Sequence, residues 1–209
     1  MHPARGRLIT IEGIDGAGKS TLAAGLADVL AGRGIEASLL REPGGVHTAE
    51  RIRELVHDPA ATIGARAEAL LYAAARAQLV DEALEPLLGA GRVVLLDRFV
   101  DSSLAYQGAG RDLGIANVRD INVFATGGLA PDRTLLLRVA PALGRARSVK
   151  RGAPPDRLEQ QPDDFFERIA AAYDELARAE PDRIRVIDAG EPPAAVLAAA
   201  MTAVEDLLG

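Results

Sequence analysis

The sequence predicts an α/β fold in three layers, with a central five-stranded parallel sheet covered by helices on both faces. Five short apolar runs alternate with helix-period segments along the 209 residues, without a long linker or an internal repeat. Residues 93–96 are continuously apolar, which is typical of a strand buried on both faces of a parallel sheet. Ligands of such sheets bind at the carboxyl ends of the strands, so residues that follow a strand are the candidates for a site.

Taken in order, each apolar run leads into a segment with helical periodicity. We predict strands at residues 8–11, 36–40, 93–96, 134–139 and 183–187. We predict helices at residues 19–31, 49–56, 65–88, 117–124, 142–151, 162–178 and 194–208. Ile52, Leu55 and Val56 are expected to face inward on the second helix. Pro86 is expected to bend or end the long third helix, and residues 102–108 to form a polar loop.

Composition limits the function classes. A net charge of −6 argues against a nucleic-acid polymer as partner but leaves room for a small phosphorylated ligand. The chain has no cysteine, which excludes disulfides and thiolate metal sites, and its three histidines form no metal-like cluster and are expected at the surface. We see no secretory signal, and residues 192–204 are too few to span a membrane. We therefore expect one cytoplasmic domain, residues 1–209.

The segment after the first strand predicts a phosphate site. Residues 13–20, GIDGAGKS, fit the pattern G-x-x-x-x-G-K-[ST], in which backbone N–H groups and a helix N-terminus surround nucleotide phosphates. Lys19 supplies a cation for the β- and γ-phosphates, and Ser20 a hydroxyl for Mg²⁺. The structural alternative is a glycine-rich turn between a strand and a helix. The predicted triphosphate site comprises Gly13, Ile14, Asp15, Gly16, Ala17, Gly18, Lys19, Ser20 and Thr21.

The strand at residues 93–96 ends in an acid and an arginine. Together with the phosphate loop, Asp97 predicts a carboxylate that helps to hold Mg²⁺, although an aspartate at a strand end also commonly caps a turn. Arg98 carries a planar, permanent charge that suits a bidentate grip on phosphate, and its alternative is a structural salt bridge.

Two other nucleotide-binding classes are disfavoured. A switch-type GTPase needs a guanine-reading Asn-Lys-x-Asp, and neither Asn117 nor Asn122 stands in that context. A dinucleotide fold needs a glycine-rich turn that opens a βαβ unit, whereas Gly108-Ala109-Gly110 lies in a polar segment.

A basic segment follows the fourth strand. Its cations are Arg145, Arg147, Lys150 and Arg151, with Arg157 beyond a short loop. Such a run usually forms a solvated face. The phosphate loop carries no arginine at residues 14–17, so a cation for a transferring phosphoryl group must come from elsewhere, which favours a mobile basic lid.

On the long helix, Tyr72 and Arg76 are four residues apart and share one face, where an aromatic plane beside a cation can hold a base. The alternative is a core tyrosine beside a surface arginine.

The ordered set of motifs closely resembles bacterial thymidylate kinases over essentially the whole chain. The motifs are GIDGAGKS at residues 13–20, REPGG at 41–45, DRFVDSSLAYQG at 97–108 and DRLE at 156–159. The resemblance implies a P-loop kinase fold with a lid at about 142–158. It also implies transfer of the γ-phosphoryl of ATP to dTMP with Mg²⁺, usually by a homodimer.

The resemblance also implies residue roles. Asp15 would lie near the sugar 3′-hydroxyl, Arg98 and Arg53 would hold the acceptor phosphate, and Tyr106 would pack against the deoxyribose. Tyr72, a phenylalanine in the family, would stack on thymine. The implied dTMP site comprises Asp15, Glu42, Arg53, Tyr72, Arg76, Arg98, Ser103, Tyr106 and Gln107.

Within that site, Arg76 would donate to thymine O4, while Ser103 and Gln107 would face the N3 edge. The implied catalytic set is Lys19, Arg98, Asp15, Arg147 and Arg151, and the implied metal set is Ser20 and Asp97, directly or through water. Two alternatives stay open. Another nucleoside monophosphate kinase would differ in the base-contacting residues, and a nucleotide-binding regulator would bind without rapid turnover.

Overall fold

The computed structural model describes residues 5–150, 152 and 156–208. Its strands are β1 (Arg7–Glu12), β2 (Ala37–Arg41), β3 (Val93–Asp97), β4 (Arg133–Arg138) and β5 (Ile184–Asp188). Its α-helices are α1 (Lys19–Gly32), α2 (His47–His57), α3 (Ala65–Leu79), α4 (Glu85–Gly89), α5 (Val100–Ser103), α6 (Ile115–Thr126), α7 (Pro141–Lys150), α8 (Asp163–Ala179) and α9 (Pro193–Leu208). Two π-helical segments are Val80–Leu84 and Leu104–Gly110.

The five strands form one parallel sheet in the order β2-β3-β1-β4-β5. This is the predicted α/β architecture, and the strands lie within about one residue of their predicted bounds. The apolar residues of the central strands β1 and β3 are buried: Leu8, Ile9, Leu95 and Leu96 have no exposed area. Because all strands run in the same direction, Glu12, Arg41 and Asp97 lie together at the carboxyl edge.

The long helix predicted at residues 65–88 is not α-helical throughout. It is α-helical to Leu79, passes through the π-helical segment Val80–Leu84 and resumes as α4. Pro86 lies in the first turn of α4, where a missing backbone N–H is tolerated. The helix therefore changes its hydrogen-bonding pattern before the proline, and the proline falls in the first turn of the resumed α-helix.

The predicted polar loop at residues 102–108 is wrong. This stretch is helical, in α5 and the following π-helical segment, and its residues are buried. The polar side chains are buried because each finds a partner: Ser102 bonds Glu12 and Gln107 bonds Glu68, for example. Polarity was therefore a misleading signal for exposure here.

Helix α2 also departs from its predicted orientation. Val56 is buried, but Leu55 is 47% exposed. The inward face of this helix runs through Ala49 and Val56, and Arg53 points toward the carboxyl edge of the sheet. In the described part of the chain, no helix is long and apolar enough to cross a membrane.

Candidate active site

The phosphate loop joins β1 to α1 and depends on its glycines. Gly13, Gly16 and Gly18 have φ angles of 136°, 77° and 95°, which side chains rarely allow. A Cβ atom at Gly16 would lie 2.0 Å from the carbonyl oxygen of Gly144 in α7. The first turns of the lid helix therefore pack directly on the phosphate loop. The Ile14 and Ala17 side chains are buried, and the Ala17 N–H donates to the Ile14 carbonyl oxygen at 3.3 Å within the loop.

Lys19 is the first residue of α1, and its side chain folds back over the loop. Its Nζ donates to the carbonyl oxygens of Gly13 at 3.1 Å and Ile14 at 3.0 Å. Burial and the neighbouring Arg98 charge lower the pKa of Lys19 to about 8, although nearby carboxylates act in the opposite sense. An anionic phosphate beside Nζ would favour the charged form again.

Ser20 and Asp97, the two residues predicted to hold Mg²⁺, contact each other. The Ser20 hydroxyl donates to Asp97 Oδ2 at 2.8 Å, close to the separation of about 2.9 Å between neighbouring oxygens around an octahedral Mg²⁺. In the described residues no group of three His, Cys, Asp or Glu side chains could hold a metal. One hydroxyl and one carboxylate fit an ion that takes its other ligands from water and phosphates.

Arg98 lies between the phosphate loop and α5. Its φ angle of 71° is rare for a residue other than glycine, and its backbone N–H donates to Ile11 at 3.0 Å. One terminal nitrogen donates to the Gly13 carbonyl oxygen at 3.1 Å, and the other to Asp15 Oδ1 at 2.6 Å. The guanidinium also lies 4.9 Å from the centre of the Tyr106 ring.

Asp15 completes this cluster from the phosphate loop. Its Oδ2 accepts a hydrogen bond from the Tyr106 hydroxyl at 3.0 Å. Burial alone would raise the pKa of Asp15, but the charges of Arg98 and Lys19 and the Tyr106 hydrogen bond outweigh burial and hold that pKa well below its usual range. The Asp15 carboxylate therefore accepts hydrogen bonds from both Arg98 and Tyr106 and orients them.

Glu12 is a buried acid that the sequence interpretation missed. It accepts hydrogen bonds from the Phe99 backbone N–H at 2.7 Å, from the Ser102 hydroxyl, and from the Tyr173 hydroxyl at 2.9 Å. Burial, reinforced by the Asp101 carboxylate, raises the pKa of Glu12 to about 7. The sequence gives one sign of this buried acid, a glutamate directly before Gly13. The residues that donate hydrogen bonds to Glu12 lie far away in sequence.

We expect Glu12→Gln to reduce the pH dependence of stability. A carboxyl pKa raised in the folded state stabilises the fold below about pH 4.5, and this contribution is lost as the pH rises through 7. Wild type should therefore lose roughly 2–4 kcal/mol more of its unfolding free energy than the variant between pH 5 and 8. Urea denaturation at both pH values measures this difference. Parallel loss in both proteins would contradict the assignment.

Arg76 is buried in α3, with 1% of its area exposed. It donates to Glu42 Oε2 at 2.8 Å, to Ser103 Oγ at 2.9 Å, to the Phe99 carbonyl oxygen at 2.8 Å and to Asn122. The alternative of a surface arginine is therefore wrong. Because all its donors have protein partners, Arg76 would have to release one of them to donate to a base.

The lid segment contributes its arginines unequally. Arg147 faces the cleft and donates to the Ala189 carbonyl oxygen at 2.7 Å. Arg145 instead pairs with Asp163, and Arg157 with Glu68 at 2.6 Å. Arg151, the other predicted catalytic lid residue, lies outside the described residues.

The lid also contacts α2. Asp156 Oδ2 lies 2.8 Å from His57 Nδ1, and the Arg157 Nε donates to the Val56 carbonyl oxygen at 3.0 Å. Burial opposes ionisation, but the hydrogen bond from His57 lowers the pKa of Asp156. His57 is therefore partly buried at the cleft and is not the free surface residue that the sequence suggested.

One cleft of about 530 Å³ gathers most of the predicted residues at the carboxyl edge of the sheet. Those that line it are Asp15, Gly16, Gly18, Lys19, Ser20, Thr21, Glu42, Arg53, Tyr72, Asp97, Arg98, Ser103, Tyr106, Gln107 and Arg147. Gly13, Ile14, Ala17 and Arg76 do not line this cleft, and Gly13 and Ile14 instead line a second pocket with residues of β4 and α7. The lining combines residues of the phosphate loop with Tyr72 of α3 and Gln107 of the second π-helical segment.

Comparison with known sequences decides the family. The family profile described as "Thymidylate kinase" matches residues 11–200. The chain belongs to the thymidylate kinase family. The thymidylate kinase of Lactobacillus delbrueckii subsp. bulgaricus is 48% identical over 204 residues, covering 96% of both chains. The thymidylate kinase of Deinococcus radiodurans is 49% identical, covering 90% of this chain and 91% of its own.

A solved structure of the same family has the same fold. The crystal structure of thymidylate kinase from Ehrlichia chaffeensis superimposes with a TM-score of 0.79 at 26% identity, covering 96% of this chain and 99% of that one. The family resemblance and the P-loop kinase fold expected from the sequence are thus confirmed.

Proposed function

We propose that this chain is a kinase that transfers the γ-phosphoryl group of ATP to dTMP, giving dTDP and ADP. The observation that carries the proposal is that one cleft is lined by the phosphate loop, by Arg98, by the Tyr72 ring and by the Gln107 amide. A donor triphosphate and an acceptor nucleotide can therefore lie end to end in it. The acceptor is already a phosphate anion, so alignment and positive charge matter more than a general base.

Different residues of the cleft would bind the phosphates of the donor and of the acceptor. Lys19 and the loop N–H groups hold the donor phosphates, and Arg98 lies where it can bridge the two substrates. Arg53, which also lines the cleft and donates to the Pro43 carbonyl oxygen at 3.1 Å, would hold the acceptor phosphate. Arg147 would add positive charge as the phosphoryl group transfers. Arg151 stays a prediction from the sequence.

Mg²⁺ is the ion that we propose for Ser20 and Asp97. When bound, it would neutralise phosphate charge and orient the donor. The protein contributes the two oxygen groups that lie 2.8 Å apart and the loop that holds the phosphates beside them.

At the acceptor end, the Asp15 and Tyr106 pair would meet the sugar. The Tyr106 hydroxyl is held by Asp15 at 3.0 Å and by Arg98 at 3.2 Å, which fixes the ring in one orientation. A fixed ring beside the deoxyribose would leave no room for a 2′-hydroxyl. The half-buried Tyr72 ring would stack on thymine.

An acceptor panel tests the function and separates it from its rivals. ATP and Mg²⁺ are supplied with dTMP, dUMP, dCMP, dAMP or dGMP, and ADP release is followed. We expect dTMP to give the highest kcat/KM, and EDTA to abolish turnover. Faster turnover with a purine monophosphate would indicate another nucleoside monophosphate kinase, and ADP release independent of any acceptor would indicate a regulator.

We also propose a homodimer. Helices α3 and α6 pack against each other, and they carry exposed apolar side chains: Leu70 and Val123 are each 56% exposed and Phe124 is 91% exposed. A second copy of this chain would cover them. Sedimentation equilibrium should give a dimer for wild type and a shift toward monomer for Phe124→Glu, and a monomeric wild type would contradict the proposal. We further propose one domain, with a lid at about 142–158, acting in the cytoplasm without a nucleic-acid polymer.

A further inference from the structure

Glu68 is a buried carboxylate that contacts Gln107, a residue of the cleft lining, and has no role in the function proposed above. It lies in α3 with none of its area exposed. Its Oε1 accepts from the Gln107 Nε2 at 2.9 Å, and its carboxylate pairs with Arg111 at 3.1 Å and with Arg157 at 2.6 Å. The π-helical segment, the turn after it and the lid thus converge on one acid.

This contact determines which way the Gln107 amide points. A carboxylate accepts hydrogen bonds and cannot donate them, so the Gln107 NH₂ group must face Glu68. The rotated amide would place its oxygen against the carboxylate oxygen, which leaves two acceptors in contact. Among the described residues, Glu68 is the hydrogen-bond partner of the Gln107 side chain, so the amide oxygen is left for the cleft.

We propose that Glu68 is a positioning residue that sets base specificity by fixing the Gln107 amide with its acceptor oxygen toward the ligand. This inference rests on the proposed function. The N3 atom of thymine carries a hydrogen and donates to that oxygen, whereas the N3 atom of cytosine is an acceptor and opposes it. Rotation of the amide would accommodate cytosine, and Glu68 prevents that rotation.

Glu68 also holds the lid through its ion pair with Arg157. Loss of this ion pair would change the kinetics in a different way from loss of the hydrogen bond to Gln107. A lid anchor acts on every acceptor alike, because the lid covers the phosphates whichever base is bound. Loss of the anchor would change kcat or KM for dTMP and dCMP in proportion. Loss of the hydrogen bond between Glu68 and Gln107 would instead change the ratio of kcat/KM for dTMP to kcat/KM for dCMP.

The test is the ratio of kcat/KM for dTMP to that for dCMP in Glu68→Gln. A glutamine at this position can donate as well as accept, so the Gln107 amide becomes free to rotate. We expect the ratio to fall about 10- to 100-fold, the range associated with one mispaired buried polar group. Glu180→Gln, the same change in an acid paired with Arg183 away from the cleft, should leave the ratio unchanged.

Two further variants keep the proposal falsifiable if Glu68→Gln folds poorly. Glu68→Asp keeps the charge for both arginines but draws the carboxylate back from Gln107, and it should also lower the ratio. Gln107→Met removes the amide, and in that background Glu68→Asp should have no further effect on the ratio. Additive effects, or an unchanged ratio in Glu68→Asp, would overturn the inference.

Failure of the inference and failure of the function are distinguishable. If wild type does not prefer dTMP to dCMP, the proposed function is wrong. If wild type shows the preference and the folded Glu68 variants keep it, only the role of Glu68 is wrong.

Discussion

Replacing Arg98 by alanine is expected to lower kcat/KM for dTMP by about 10³-fold, the range of a cation that stabilises a transferring phosphoryl group. The guanidinium is held by Gly13, Asp15, Ser102 and Tyr106, so its position is set before any substrate binds. Preorganised charge needs no rearrangement during transfer. Steady-state kinetics with dTMP as the varied substrate measures the loss.

Arg98→Lys is the matched control, because it keeps the charge and loses the planar fork. We expect lysine to recover only part of the activity, since one ammonium cannot hold Asp15 and bridge two phosphates together. ATP binding, followed with a fluorescent analogue, should stay within about threefold of wild type in both variants. A fall in kcat/KM of less than about tenfold in Arg98→Ala would mean that Arg98 acts mainly as a structural partner of Asp15.

Replacing Arg76 by methionine is expected to lower the free energy of unfolding by about 3–5 kcal/mol, the effect of breaking a buried ion pair. The Glu42 carboxylate is 5% exposed and depends on Arg76. Burial raises the pKa of Glu42, and the Arg76 charge acts against that rise. The melting temperature should fall by roughly 6–20 °C. Calorimetry and urea denaturation measure both quantities.

The double variant Arg76→Met with Glu42→Gln tests the cause. Removing the stranded charge as well should restore a substantial part of the stability, because a buried neutral amide is far less unfavourable than an unpaired carboxylate. Stability that falls further in the double variant would show that the Ser103, Asn122 and Phe99 contacts of Arg76 dominate. The single variant also bears on function: any loss of dTMP selectivity in it has to be judged against this loss of stability.

The parts of the site that were predictable lie next to strand ends. Asp97 follows a continuously apolar run, and Lys19 belongs to a spaced motif, so local pattern identified both. Glu12 and Glu68 were missed because the burial of an acid depends on partners from elsewhere: Tyr173 is 161 residues from Glu12 and Gln107 is 39 residues from Glu68. A local sequence pattern does not reveal contacts between residues so far apart along the chain.

The secondary structure was likewise predictable only where a local pattern specifies it. The strands were predictable because burial on both faces requires apolar runs. The π-helical segments were not, because one extra residue in a helical turn leaves no repeating pattern to detect. Leu55 shows the limit for a short helix: Ile52, Leu55 and Val56 lie three and four residues apart on one helical face, yet Leu55 is 47% exposed, because the sequence does not say how much of that face the rest of the fold covers.

Gly16 and Gly144 approach so closely that the phosphate loop cannot carry a side chain at position 16 while α7 keeps its place. A side chain at position 16 would collide with the backbone of α7, since even its first carbon would lie 2.0 Å from a carbonyl oxygen. An arginine at position 16 and a lid helix packed this closely on the loop are therefore mutually exclusive. A catalytic cation at position 16 would require α7 to lie farther from the phosphate loop, so the place of that cation and the place of the helix are linked.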